Sequence, residues 1–213
     1  MDSRVQTMLV VENHEPMVPI DPNGTKLVLD YNVKPGRRNL FIARKSVVNR
    51  LIFASLSLPD GIYLSIKETY RPKSFQSFIY NRRVIQLFCS EKHLTLTSTE
   101  VHKLAAEYIA PPGVAGHPTG GAVDVSLVDK LNNEIDLGCK YDEYSTISEG
   151  RCYSFCNELE RDVVENRKIL FECMNQAGFI NYPYEWWHWS YGDKYWAVVV
   201  NAPHAIFSAL ELK

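Results

Sequence analysis

The sequence lacks the features that mark several large classes of protein. Its 213 residues contain no apolar run near the ~20 residues of a membrane-spanning helix. The formal net charge of -2 gives no sign of binding to nucleic acid or to an anionic membrane. Neither a P-loop nor a Gly-x-Gly-x-x-Gly motif is present. We therefore expect a protein that binds neither nucleic acid nor membranes.

Cysteine usage and the first residues favour a cytoplasmic location. The five cysteines are odd in number and include no Cys-x-x-Cys pair, which disfavours a disulfide framework. Cys152 and Cys156 are expected on one helix face as small buried residues, with a second metal site as the alternative. Residues 1–16 have neither the apolar segment nor the small-residue cleavage site of a secretory signal. These observations predict a reducing compartment.

The pattern of apolar residues predicts a single α+β domain over residues 1–213. Residues 1–40 are rich in turn formers, including Pro35-Gly36, and are expected to form an irregular lead-in around a short strand near Leu27–Leu29. Helices are predicted at Ser46–Ser57, Ser74–Cys89, Thr99–Ile109 and Ser154–Ala177, and strands at Ile62–Lys67, Ala122–Val128, Trp186–Ser190 and Tyr195–Val200. This order favours a central antiparallel sheet flanked by helices.

Several of these elements carry more detailed predictions. The strand Ile62–Lys67 alternates and should be half-buried. The apolar stripe of the second helix should comprise Phe75, Phe78, Ile79, Ile85 and Phe88. Gly178 follows the fourth helix at the position of a left-handed C-terminal cap.

Two histidines and an aspartate are candidate metal ligands. His117 and Asp124 are separated by Gly120-Gly121, which allow a tight turn, and Asp124 lies on the polar side of a predicted strand. His188 would be the third ligand, so a fourth position would stay open for water, as in catalytic zinc sites. Such spacing also occurs by chance. The remaining histidines, His14, His93, His102 and His204, have no metal-like partners at suitable spacing and are interpreted as structural or surface residues.

Two further residues could carry the chemistry of hydrolysis. Glu185 precedes His188 by three residues and is a candidate general base, whose pKa neighbouring tryptophans would raise by excluding water. The alternative is a surface glutamate beside core aromatics. Arg71, which Pro72 forces into an extended conformation, is a candidate for stabilising an oxyanion, or else a member of a surface ion pair.

Taken in order along the chain, these motifs resemble the VanX-type D-Ala-D-Ala dipeptidases, zinc enzymes related to zinc DD-carboxypeptidases and the hedgehog signalling domain. The resemblance runs from about Tyr31 to Trp196. The matching segments are Tyr70-Arg71-Pro72, His117-x-x-Gly120-x-Ala122-x-Asp124, Glu185-Trp186-Trp187-His188-Trp189 and Gly192-Asp193-x-x-Trp196-Ala197. Tyr141-Asp142-Glu143-Tyr144 is similar to a Phe-Asp-x-Phe segment of that family.

The resemblance implies one zinc ion per chain on His117, Asp124 and His188, with Glu185 as catalytic acid and base and Arg71 as transition-state stabiliser. It also implies that Asp142 lies near the free amino end of a small dipeptide substrate. The expected activity is hydrolysis of D-alanyl-D-alanine, a building block of the bacterial cell wall.

One position departs from the family pattern and leaves the substrate open. The family often has serine two residues before the first metal histidine, and this chain has Ala115 there. Alternatives are therefore a dipeptidase of other specificity, a carboxypeptidase acting on peptidoglycan stem peptides, and, less favoured because Glu185 and Arg71 are both present, a non-catalytic zinc-binding module. A His2Asp set also admits another divalent metal.

Overall fold

The structure, a computed structural model, describes residues 2–32, 41–90 and 95–212. Pro35, Gly36 and His93 lie outside the described residues. The strands are β1 (Met17–Pro19), β2 (Leu27–Leu29), β3 (Ile42–Arg44), β4 (Ile62–Glu68), β5 (Ala122–Asp129), β6 (Ile180–Tyr182) and β7 (Glu185–Ser190). The helices are α1 (Ser3–Thr7), α2 (Lys45–Leu56), α3 (Lys73–Phe88), α4 (Ser98–Ala106), α5 (Arg161–Gln176) and α6 (Lys194–Val199), and a short 3-10 helix spans His117–Thr119.

A five-stranded sheet of order β2-β4-β5-β7-β6 organises the chain. Its pairs are antiparallel except for β2 with β4, which run parallel at one edge. A separate antiparallel pair joins β1 to β3. The predicted α+β architecture with an antiparallel sheet and flanking helices is confirmed, although the parallel edge strand was not predicted.

The main core lies between this sheet and the helices α2 and α5. Val123, Val125 and Leu127 of β5 are fully buried in it, together with Leu51 of α2 and Leu170 of α5. Successive side chains of a strand alternate between faces, so the core face of β5 leaves Asp124 on the other face, as the sequence predicts. That second face is buried too. In the described residues no helix combines the length and apolar content that crossing a bilayer requires.

The strand predicted at Ile62–Lys67 is confirmed as β4, but the prediction that it is half-buried is wrong. Lys67 is only 2% exposed, because its ammonium group forms ion pairs with Asp30 and Glu134. Ser65 is also buried. A charged residue on the polar side of an alternating pattern can thus be covered when the neighbouring segments supply opposite charges.

The apolar stripe predicted for α3 is also wrong. Phe78 and Ile85 are 58% and 61% exposed, whereas Gln76, Tyr80, Val84 and Leu87 are buried. The buried side contacts α4 in a second, smaller core. Gln76 is buried on the same side of the helix, where its side-chain oxygen accepts a hydrogen bond from Arg71 and its nitrogen donates one to the Ala110 carbonyl oxygen. The buried face of α3 therefore combines apolar residues with one hydrogen-bonded amide.

For α5 the predicted C-terminal boundary is confirmed, and the predicted N-terminal boundary is wrong. Gly178 has φ +81 and ends the helix in the left-handed conformation, as predicted. The helix begins at Arg161 rather than Ser154, and residues 148–157 form turns in which Phe155 is 72% exposed. Cys152 and Cys156 therefore lie in this irregular segment and not on a helix face. All five cysteines are free, with Cys152 and Cys173 buried and Cys89 exposed.

The strand predicted at Tyr195–Val200 is instead the helix α6. The Asp193 side chain accepts a hydrogen bond from the Trp196 amide and caps the helix at its N-terminus. The cap overrides the strand preference of the valines that follow. The hairpin partner of β7 is β6, which precedes it in the chain.

Candidate active site

The adjacent strands β5 and β7 bring two predicted ligands together. Asp124 and His188 face each other in the strand register, and His188 Nδ1 lies 2.9 Å from Asp124 Oδ1. His117 reaches the same oxygen from the 3-10 helix before β5, with its Nε2 at 3.3 Å. Gly120, at φ +71, turns the chain between the two residues, as the glycine pair predicts. One ligand atom from each of the three side chains lies within 4.8 Å of the others.

Hydrogen bonds fix the orientation of these side chains. His117 Nδ1 is 2.6 Å from the Thr69 carbonyl oxygen, which can only accept, so Nδ1 carries a proton and Nε2 is the nitrogen that faces Asp124. Asp124 Oδ2 accepts a hydrogen bond of 2.9 Å from the Tyr141 hydroxyl. Burial alone would raise the pKa of Asp124, but His117 and His188 hold it well below its ordinary range. The carboxylate is thus kept ionised inside the protein.

Glu185 approaches the same cluster from the start of β7. On a regular strand residues three apart face opposite sides, but the pairing of β6 with β7 shifts register here. Glu185 Oε2 consequently lies 4.0 Å from His188 Nδ1. Burial raises the pKa of Glu185 to about 7, although His188 and Arg71 oppose the shift. The predicted direction of the pKa shift is confirmed.

The tryptophans around Glu185 play different parts. Trp187 lines the cavity, whereas Trp186 and Trp189 pack into the main core, 2% and 0% exposed. The expectation that all three enclose the site is therefore only partly correct.

The Glu68 carboxylate and the Gln76 side chain hold Arg71 in the site. Its Nε and Nη2 each donate a 2.8 Å hydrogen bond to Glu68, and its Nη1 donates one of 2.9 Å to Gln76. The register of β4 against β5 shifts between Ile66 and Glu68, which places Glu68 opposite Asp124. Burial would lower the pKa of Arg71, but Glu68 raises it above its ordinary value. Arg71 thus carries a permanent charge beside Asp124 and is not in a surface ion pair.

All six predicted site residues line one cavity of about 460 Å³. They are Arg71, His117, Asp124, Asp142, Glu185 and His188. Asp142 has φ +64, a left-handed conformation that is uncommon for a non-glycine residue. Ala115 is buried in the same wall. A larger neighbouring cavity of about 910 Å³ shares Asp142, Tyr144 and Glu185 with it.

Residues 210–212 support the wall that carries Arg71 and His117. The Tyr70 hydroxyl accepts a hydrogen bond from the Leu212 amide and donates one to the Leu210 carbonyl oxygen. The Leu210 amide bonds in turn to the Pro118 carbonyl oxygen. Residues 210–212 therefore join the segment that carries Arg71 to the 3-10 helix that carries His117.

The sequence did not reveal four residues that shape the site. Glu68 and Gln76 hold Arg71, Tyr141 bonds to Asp124, and Asp193 is a buried carboxylate whose pKa burial raises. Asp193 lies so close to Gly116, next to His117, that a Cβ at that glycine would overlap it. Tyr141 and Asp193 stand in segments that the resemblance includes, but nothing in the segments indicates their contacts.

Comparison with known proteins identifies the relatives of this chain. A D-alanyl-D-alanine dipeptidase of Synechocystis is 28% identical over 222 aligned residues, which cover 89% of this chain and 87% of the relative. The D-alanyl-D-alanine dipeptidase of Enterococcus faecium is 26% identical over 65% of this chain and 67% of its own length.

Solved structures give weaker likenesses. The LdcB LD-carboxypeptidase is 22% identical at a TM-score of 0.48, covering 88% of this chain and 74% of its own. VanYB in complex with D-Ala-D-Ala is 19% identical at a TM-score of 0.45, and the match covers 93% of this chain and 92% of the VanYB chain.

The family model gives the decisive match. Residues 26–209 match Peptidase M15, the D-Ala-D-Ala dipeptidase family. This range contains every ligand, acid and base candidate described above. The family predicted from the motifs is confirmed: the chain belongs to the Peptidase M15 family and is a metallopeptidase.

Proposed function

We propose that this protein is a zinc-dependent dipeptidase that hydrolyses D-alanyl-D-alanine to two D-alanines. The observation that carries the proposal is the convergence of His117, Asp124 and His188 on one point, in a cavity that also holds Glu185 and Arg71. The choice of substrate is supported by the D-alanyl-D-alanine dipeptidases among the relatives.

The donor set fits one zinc ion per chain. Two imidazole nitrogens and one carboxylate oxygen are the three protein ligands typical of a catalytic zinc site. The bond from His117 Nδ1 to the Thr69 carbonyl leaves Nε2 aimed at the cluster. A hydrogen bond to one ring nitrogen commonly orients a histidine that binds metal through the other. When bound, zinc supplies Lewis-acid polarisation of the scissile carbonyl and lowers the pKa of a nearby water.

Glu185 acts as the proton carrier of the reaction. It accepts a proton from the attacking water as the oxygen of that water bonds to the carbonyl carbon, and it donates a proton to the leaving amine as the C–N bond breaks. A pKa raised to about 7 by burial suits both roles at neutral pH, because each form is then accessible. Its position beside His188 sets it next to the proposed metal.

Arg71 stabilises the negative charge that develops on the carbonyl oxygen. Its guanidinium is fixed by Glu68 and Gln76, so its orientation does not have to change during the reaction. Preorganised donors of this kind contribute about 3–4 kcal/mol to lowering such barriers.

Asp142 binds the free ammonium group of the dipeptide. It lines the same cavity as the proposed metal ligands, and a carboxylate there forms a charge-assisted hydrogen bond with the substrate. This contact distinguishes a free dipeptide from an N-acylated peptide. Ala115 provides no hydroxyl in the same wall, so another dipeptide remains an alternative substrate.

A second candidate function is carboxypeptidase activity on peptidoglycan stem peptides. The observation in its favour is the larger cavity of about 910 Å³, which continues from Asp142 and Glu185 and has room for residues beyond a dipeptide. The cytoplasmic location expected from the sequence stays a prediction.

The experiment compares D-alanine release by the zinc-loaded protein from D-Ala-D-Ala and from an N-acetylated peptide ending in D-Ala-D-Ala. We expect release from the free dipeptide, and a fall of about 10²–10⁴-fold in kcat for Glu185→Gln. Release from the acylated peptide alone would replace the dipeptidase with the carboxypeptidase. No release from either substrate by a folded, zinc-bound protein would refute both.

A further inference from the structure

Tyr141 occupies a position next to the proposed metal ligands that the reaction scheme above does not use. It begins the segment Tyr141-Asp142-Glu143-Tyr144, whose similar family segment begins with phenylalanine. The ring packs edge-on against Trp187, with centroids 5.7 Å apart. A phenylalanine ring could make this contact equally well, so packing alone does not account for the hydroxyl.

The hydroxyl meets one particular oxygen of Asp124. Asp124 Oδ1 faces His117 Nε2 and His188 Nδ1 and is therefore the oxygen within the ligand cluster. The Tyr141 hydroxyl is 2.9 Å from Oδ2, the other oxygen. An ionised carboxylate oxygen can only accept a hydrogen bond, so the phenol is the donor.

We propose that Tyr141 is a positioning residue for the metal, which restricts Asp124 to binding through Oδ1 alone. The inference rests on the proposed function, because it needs His117, Asp124 and His188 to be the ligands. A carboxylate whose second oxygen is engaged in a hydrogen bond is held against rotation about its Cβ–Cγ bond. Without that bond, Oδ2 can turn toward the metal and the coordination number can rise.

The consequence is a specific change in metal binding. Loss of a hydrogen bond to a metal ligand commonly weakens metal affinity 10–100-fold. Tyr141→Phe keeps the ring and its contact with Trp187 but removes a hydrogen bond to a buried carboxylate oxygen, so we expect the metal-free variant to unfold at a somewhat lower temperature than the wild type. Zinc affinities are therefore compared well below both unfolding temperatures, where both proteins are folded.

The test measures zinc affinity by competition with a chromophoric chelator, in wild type, Tyr141→Phe and Tyr144→Phe. Tyr144 lies in the same segment and its ring contacts Tyr108. Within the described residues no hydrogen bond joins its hydroxyl to Asp124, whose Oδ2 is bonded by Tyr141, so its phenylalanine variant loses an identical hydroxyl without changing that bond. We expect zinc to bind about 10–100-fold more weakly to Tyr141→Phe and with unchanged affinity to Tyr144→Phe. The visible absorption of the Co²⁺-substituted Tyr141→Phe variant should weaken as its coordination number rises.

Two outcomes separate this inference from the function on which it rests. If the wild type binds zinc tightly, His117→Ala does not, and Tyr141→Phe matches the wild type in affinity and in Co²⁺ spectrum, the inference is wrong and the metal site stands. If the wild type and His117→Ala bind zinc equally weakly, the proposed metal site is wrong, and the inference about Tyr141 is then wrong as well.

Discussion

Replacing Glu68 with glutamine removes the negative charge that holds Arg71 while keeping the size of the side chain. Glu68 is 0% exposed and Arg71 only 13%, so the arginine would be left charged and poorly compensated inside the protein. Breaking a buried ion pair by removing one partner typically costs about 3–5 kcal/mol. A protein of this length loses roughly 2–4 °C of Tm per kcal/mol, so Tm should fall by roughly 6–20 °C.

Activity should fall as well, because Arg71 would no longer be fixed over the reacting carbonyl. Glutamine keeps one acceptor oxygen but replaces the other with an NH2 group, which cannot accept the second of the two 2.8 Å bonds. A displacement of about 1 Å at such a group can cost about 10²-fold in rate. The measurement is kcat/KM for D-Ala-D-Ala at a temperature well below both melting points, alongside thermal unfolding of each protein.

The matched control is Glu12→Gln. Glu12 holds Arg44 through two bonds of 2.9 and 3.0 Å, and Arg44 is 2% exposed. Arg44 is thus a second buried arginine held by both oxygens of one carboxylate. Loss of the Glu12 charge should lower Tm without changing kcat/KM. The reasoning is refuted if Glu68→Gln retains wild-type kcat/KM, or if the two variants lose activity to the same degree.

Two further predictions concern the histidine loop and the general base. Gly116→Ala should cost about 1–3 kcal/mol of stability and weaken zinc binding, because its Cβ would overlap Asp193 and approach Ala122 within 2.8 Å. Gly113→Ala, with nothing within 4 Å of its Cβ, should unfold like the wild type, and equal behaviour of the two alanine variants in thermal unfolding would contradict this account. Glu185 has a folded-state pKa of about 7 against an ordinary 4.5, so in metal-free protein its contribution to stability is present below pH 4.5 and is lost as the pH rises through 7. The Tm of metal-free wild type should therefore fall relative to that of metal-free Glu185→Gln between pH 4.5 and 7, and parallel pH profiles would show that Glu185 titrates normally.

The sequence predicted which residues converge better than the residues that support them. The convergence of His117, Asp124 and His188 could be predicted because a glycine turn and two strands with recognisable patterns carry them, and because their motifs resemble those of a known family; their role as metal ligands stays a prediction. The role of Glu68 could not be predicted, because its position opposite Asp124 depends on a shift in strand register. A bulge of this kind leaves no periodic signal in the chain.

The errors in the fold have the same origin. The buried face of α3 includes Gln76, which bonds to Arg71 and to the Ala110 carbonyl, and α6 begins at the cap made by Asp193. Apolar periodicity ignores such polar contacts, so it assigned the wrong face to α3 and the wrong element to the valines after Trp196. Where apolar burial alone decides, as for Val123, Val125 and Leu127, the prediction was correct.

The bonds made by residues 210–212 give the wall of the site a second point of attachment. Leu210 and Leu212 connect the Tyr70 hydroxyl to the Pro118 carbonyl, and the arginine and histidine segments also meet directly, through His117 and the Thr69 carbonyl oxygen. Removing residues 210–212 should therefore make this wall more mobile and leave the two segments in contact, because one of the two connections remains.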